Sequence, residues 1–124
     1  MYKKVPKRMI PTRFKVGGQE FEVKQVERCI DNALGVSVVG AGYIEIADKY
    51  DVEGGRDTPQ SPTSKKNTFY HELVHCILVT MGEGELNKDE KFVSTFSSFL
   101  CEALTSLEYD TKRKSVKTVR GKEE

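Results

Sequence analysis

Two short runs of alternating apolar and polar residues, with Phe14 and Val16 in the first and Phe21 and Val23 in the second, flank the pair Gly17-Gly18. Period-two alternation marks strands with one buried face, and a glycine pair supplies the positive φ angles of a tight turn, so a β-hairpin is expected. From Gln25 to Leu34 the apolar positions Val26, Cys29, Ile30 and Ala33 follow helical spacing, with Gly35 as a stop, and predict a short helix. Val36–Val39 is compatible with a further short strand, and Tyr43–Ala47 alternates again and reads as a clear one. The stretch from Asp51 to Ser64, rich in Gly, Pro, Asp, Ser and Thr, reads as a long loop. A helix should then run from about Ser64 to Met81, ended by Gly82 and Gly84. A last helix should run from near Asn87 to about Tyr109, with Phe92, Val93, Phe96, Phe99, Leu100, Ala103, Leu104 and Leu107 as its apolar stripe. The pattern predicts an α+β fold: a small, mostly antiparallel sheet packed on the Ser64–Met81 helix, followed by a second, C-terminal helix.

Composition narrows this picture. The chain has 124 residues, the size of one domain, and its apolar fraction of 37% allows one modest core. The net charge of +1 hides an uneven distribution. Residues 1–15 hold six Lys/Arg and no acid, residues 110–124 hold six against three acids, and the segment between sits near −8. An acidic centre with basic ends is not the footprint of a nucleic-acid groove. Residues 1–11 therefore read as a flexible basic lead, 12–110 as a single domain and 111–124 as a disordered basic tail. Three cysteines, Cys29, Cys76 and Cys101, with no CxxC pair, argue against a disulfide framework. No apolar run reaches spanning length and no signal-peptide core follows the basic lead, so a cytoplasmic protein is expected.

The candidate chemistry lies in His71-Glu72-Leu73-Val74-His75. The chain holds two histidines, four positions apart on a predicted helix. Residues i and i+4 share a helix face, so both imidazoles can meet one metal ion without moving the backbone. Glu72 lies about 100° round the helix, beside the metal rather than on it. This is why the HExxH spacing suits a zinc hydrolase. Context supports the motif. Between Thr68 and Met81 the one charged side chain is Glu72. Phe69, Leu73, Cys76, Ile77 and Thr80 fall opposite the histidines, and Tyr70, Val74, Leu78 and Met81 fill one flank. A helix apolar nearly all round is a buried central helix, where two imidazoles and a carboxylate need partners. A third ligand must come from the acids downstream: Glu83, Glu85, Asp89 or Glu90. The pattern alone does not choose between Asp89 and Glu90.

The runs TFYHELVHCIL and EKFVSTFSSFL resemble the small phage and mobile-element metallopeptidases of the ImmA/IrrE type. In these the motif is followed by a helix of the form E-x-x-A-N-x-F-A-x-x-L. Glu90, Val93, Phe96 and Leu100 match that spacing, and Ser94 stands at the Asn. The entry AGYIEIADKYD is similar too, and the resemblance covers roughly residues 41–107. It implies a zincin-like fold of the gluzincin type, with Glu90 as third zinc ligand.

The resulting expectation is zinc-dependent peptide-bond hydrolysis. His71, His75 and Glu90 would hold Zn²⁺, and Glu72 would act as general base towards the metal-bound water. A polypeptide substrate would add to the Tyr43–Ala47 strand as an exposed edge, with Tyr50 and Tyr70 as possible oxyanion donors. The alternatives are a non-hydrolytic metal-binding module and a phage regulatory interaction module using its basic ends.

Overall fold

The structure, a computed structural model, describes residues 10–110. The tail from residue 111, and all of the basic lead except Ile10 and Pro11, lie outside the described residues. The chain forms β1 (Arg13–Val16), β2 (Gln19–Val26), β3 (Gly35–Val38), β4 (Tyr43–Ala47), β5 (Lys49–Val52) and β6 (Gly55–Pro59). Three helices follow: α1 (Pro62–Met81), α2 (Gly84–Lys88) and α3 (Glu90–Thr105).

The expected hairpin forms, with Phe14 opposite Phe21 and both glycines at positive φ. Gly17 has a second reason to lack a side chain, because a Cβ there would stand 2.6 Å from Thr80 Cγ2 of α1. The sheet order is β1-β2-β4-β3; most of its pairing is antiparallel as expected, in the two outer pairs, but the sheet is mixed because β2–β4 is parallel. That order also corrects the docking expectation. β4 is internal, and the free edge beside the motif helix is β3.

The helix expected over 25–34 is not formed. Gln25 and Val26 continue β2 against Ile46 and Ala47, and beyond them the chain makes a short 3-10 turn at Ile30–Asn32. Asp31 and Asn32 take positive φ, and Asn32 exchanges hydrogen bonds of 2.8 Å with the backbone N–H and C=O of Asp51. Pairing with distant strands overrides a weak local helical period. The loop expected over 51–64 is largely the β5–β6 hairpin, turned at Gly54 and clamped by Arg28 on Asp51 and Asp57.

α1 is the middle layer. Phe69 and Cys76 pack with Phe21, Val23, Ile44 and Ile46 of the sheet, while Val74 and Leu78 pack with Val93 of α3. A helix covered on both sides needs apolar residues nearly all round, which accounts for the composition of its second half. The last helix departs from expectation at both ends: α2 is separated from α3 at Asp89, and the chain leaves the helix at Ser106. The buried line of α3 is Val93, Ser97 and Cys101, whereas Phe96 and Phe99 of the expected stripe are exposed. Small residues at i, i+4 and i+8 let α3 approach α1 closely and turn the large aromatics outward. No helix of the described residues is long and apolar enough to cross a membrane.

Candidate metal centre

Local chemistry fixes both helices that meet here. Ser61 caps α1, accepting from Ser64 N at 3.1 Å, and Pro62 takes an early position where its missing N–H costs nothing. Asp89 caps α3, its carboxylate accepting from Phe92 N at 3.0 Å. With Asp89 turned to the backbone, Glu90 opens the helix and its carboxylate faces α1. Glu90 Oε1 stands 3.2 Å from His71 Nε2, and Oε2 stands 3.4 Å from His75 Nε2. The two imidazole rings lie 5.0 Å apart. Among the described residues, one ligand atom each from His71, His75 and Glu90 lies within 4.8 Å of the others. Tetrahedral zinc with bonds of about 2.0–2.1 Å holds its ligand atoms about 3.3 Å apart, close to the two histidine–glutamate separations. The alternatives Glu83 and Glu85 lie in the turn and on α2, exposed and outside this group.

Asn87, on α2, is a part of the site that sequence reading missed. Its Oδ1 lies 2.7 Å from His75 Nδ1. With the amide oxygen accepting, a ring proton sits on Nδ1, and Nε2, the atom that faces Glu90, is the one the neutral ring would offer to a metal. Ligating imidazoles are commonly oriented by such a partner on the other nitrogen. His75 is the more enclosed of the pair, its side chain 14% exposed against 27% for His71.

Glu72 is buried, 8% exposed, and turned towards β3. A Cβ on Gly35 would stand 2.4 Å from Thr68 Cγ2 and 3.3 Å from Glu72 Cγ, so only glycine lets the strand edge come this near the motif helix. Burial pushes the Glu72 carboxyl above the usual carboxylate range. His75, His71 and a hydrogen bond from Ser37 pull the other way, and Glu90 adds to the rise. A carboxylate with a raised pKa is the stronger base.

The wall between strand and helix is held by Gln60, itself buried. Its Nε2 donates to Ala47 O at 2.6 Å, and its Oε1 accepts from Ser64 and Thr68 hydroxyls at 2.8 Å each. His71 and Glu72 open onto a cleft of about 670 Å³ between α1 and α3, floored by Leu34 and Gly35. Tyr50 and Tyr70 do not line it. Tyr50 pairs with Thr58 in the β5–β6 hairpin, and Tyr70 packs edge-on against Phe69 in the core. Burial pushes the Cys29 thiol up to about 11 and the Cys76 thiol up to about 12, so neither is a thiolate at neutral pH.

No protein-family model, curated protein or solved structure matches the chain.

Proposed function

We propose that this chain is a zinc-dependent metallopeptidase of the zincin kind, similar to the ImmA/IrrE group, acting on polypeptide in the cytoplasm. The observation that carries the reading is the convergence of His71 Nε2, His75 Nε2 and the Glu90 carboxylate, at 3.2 and 3.4 Å, beside the buried Glu72. His71, His75 and Glu90 hold the ion. When bound, zinc supplies Lewis-acid polarisation of the scissile carbonyl and acidification of water. Glu72 takes the proton of the attacking water and returns it to the leaving amine. Asn87 keeps His75 in the tautomer that a metal requires. An extended substrate pairs with the free edge of β3, which Gly35 lets lie close against Glu72.

The test is Glu72→Gln, which keeps size and hydrogen bonding but removes the base. Zinc content of the purified protein should equal that of wild type. Cleavage of a mixture of unfolded cytosolic proteins should fall by about 10²–10⁴-fold. Equal cleavage by both proteins, or a wild type without bound zinc, would reject the reading.

A further inference from the structure

Hydroxyl and amide side chains make up most of the lining of the cleft beside the metal cluster, with Leu34 and Gly35 as its floor. Going away from the ligands, α1 presents His71, Asn67 and Thr63 to the cleft, while α3, running antiparallel to it, presents Ser94 and Ser98, one and two turns beyond the ligand Glu90 at the cleft's end. Each series steps by four residues, so each bank repeats at one helical turn. The deeper hydroxyls are already bonded: Ser64 and Thr68 donate to Gln60, and Ser97 donates to Ser94 O. On the rim, the side chains of Thr63, Asn67, Ser94 and Ser98 are exposed and make no hydrogen bond with the described residues. The one carboxylate in the lining is Glu72, and no lysine or arginine reaches it.

From this arrangement we propose that the trough is a substrate-selecting subsite for a short run of neutral, hydrogen-bonding residues (Ser, Thr, Asn or Gln) next to the scissile bond. The inference rests on the peptidase reading of the same site. From His71 to Thr63 the trough is roughly 12 Å long at 1.5 Å per helical residue, room for about three or four residues of extended chain. Hydroxyl and amide side chains entering it find donors and acceptors on both banks. An aliphatic run would strip water from four polar side chains and bond to none of them. An acidic side chain would meet no counter-charge in the lining, and a basic one only Glu72 and, at the ligand end, Glu90, the groups reserved for the proton and the metal.

The experiment uses the full chain carrying Glu72→Gln, loaded with zinc, on an array of immobilised synthetic peptides. A three-residue window is varied through neutral polar, aliphatic, basic and acidic sets. Neutral polar windows should be retained about tenfold better than the others, the penalty expected when a polar group is left unpaired. In the Asn67→Leu/Ser98→Leu variant the preference should vanish or turn aliphatic, with zinc still at one per chain. The single exposed change Ser98→Lys should instead move it towards acidic windows. Retention of aliphatic or charged windows, an unchanged preference in both variants, or no retention of any peptide would overturn the subsite. Peptides retained by Glu72→Gln yet left uncut by the zinc-loaded wild type would count against hydrolysis and leave the subsite standing.

Discussion

Two polar clusters of this protein look alike in composition and differ in what they complete. In the first, the Arg28 guanidinium lies between two carboxylates, 3.0 Å from Asp51 Oδ1 and in contact with Asp57. Asp51 also accepts from Asp57 N at 2.9 Å, and Lys49 stands 3.8 Å from Asp57. Every charge there meets an opposite charge from the same chain, and the cluster ties the β5–β6 hairpin to the end of β2. In the second, Nε2 of His71 and Nε2 of His75 both face the Glu90 carboxylate, and no lysine or arginine among the described residues pairs with Glu90. The first is a clasp that closes on itself. The second, on the proposed reading, is completed by a cation from outside the chain. Proximity of ionisable groups is therefore not the signal of a metal centre. Convergence of acceptors is, with a neighbour such as Asn87 fixing the tautomer.

The largest expected effect breaks the comparison at its root. His71→Ala, His75→Ala and Glu90→Ala should each reduce bound zinc from about one per chain to near zero by elemental analysis, because a structural or catalytic zinc site needs at least three protein ligands. Arg28→Ala should leave zinc unchanged. Asp89→Ala should also keep the zinc, while losing the cap of α3 and about 1 kcal/mol of stability. Zinc retained in Glu90→Ala but lost in Asp89→Ala would move the third ligand by one residue.

Next comes Asn87. Asn87→Ala should weaken zinc binding by roughly 10–100-fold, the usual cost of removing the partner of a ligating imidazole. Asn87→Asp, which keeps an acceptor at the same place, should restore most of it. Competition against a chromophoric chelator reads both. An unchanged affinity in Asn87→Ala would mean that the 2.7 Å contact to His75 orients nothing.

These residues also show how far the chain could be read before its fold was seen. The His71–His75 spacing is local, and a helix converts it into a shared face without help from elsewhere. The Gly17-Gly18 hairpin is equally local, since the turn needs only the two positive φ angles. Asn87 acts across 12 positions, and only because the chain breaks at Asp89. The preference of aspartate for helix caps was the available signal for that break, and it separates Asp89 from Glu90 by role. The segment 25–34 misleads because its helical period is carried by four residues. Its real partners, Ile46, Ala47 and Asp51, lie in strands that come later in the chain. The hairpin of β5 and β6 is hidden for a related reason. Asp57 adopts φ 54°, a conformation rare for non-glycine residues, and it contacts Arg28 from β2's far end. The serines of α3 were legible as letters, yet their place on a cleft wall depends on the small-residue line that sets α3 against α1.

The wall behind Glu72 gives a third, intermediate effect and sharpens the contrast between a rigid site and a peripheral clasp. Gly35→Ala drives a methyl group into Thr68 Cγ2 and close to Glu45 O. Overpacking of this kind costs about 1–3 kcal/mol, so chemical denaturation should show a lower midpoint with an unchanged slope. Thr68→Ser removes the clashing methyl and keeps the hydroxyl that donates to Gln60. In the Gly35→Ala background it should recover part of the loss. Recovery should be incomplete, because the Glu45 carbonyl remains 3.1 Å away. Additive losses in the double variant would show that strand and helix do not press on each other there.

The smallest effect belongs to the clasp and is read through pH. Hydrogen bonds from Asp57 N and from Arg28 hold the Asp51 carboxyl below its ordinary range, and Arg28, with Lys49, does the same for Asp57. A carboxylate whose folded pKa is depressed stabilises the fold above its unfolded pKa, near 3.9 for aspartate, and loses that stabilisation as pH falls towards the folded value. Asp57→Asn removes the charge, and asparagine tolerates the left-handed backbone. Melting temperature should therefore drop slightly in Asp57→Asn at neutral pH, and the difference from wild type should close as the pH is taken below about 4. The shift should be small and should shrink further in salt, because Asp57 is exposed and Asp51 partly so, and both are screened. Zinc content at neutral pH should not change. A loss of zinc in Asp57→Asn would show that the two clusters are coupled, and that the clasp helps to hold the metal centre rather than only the hairpin.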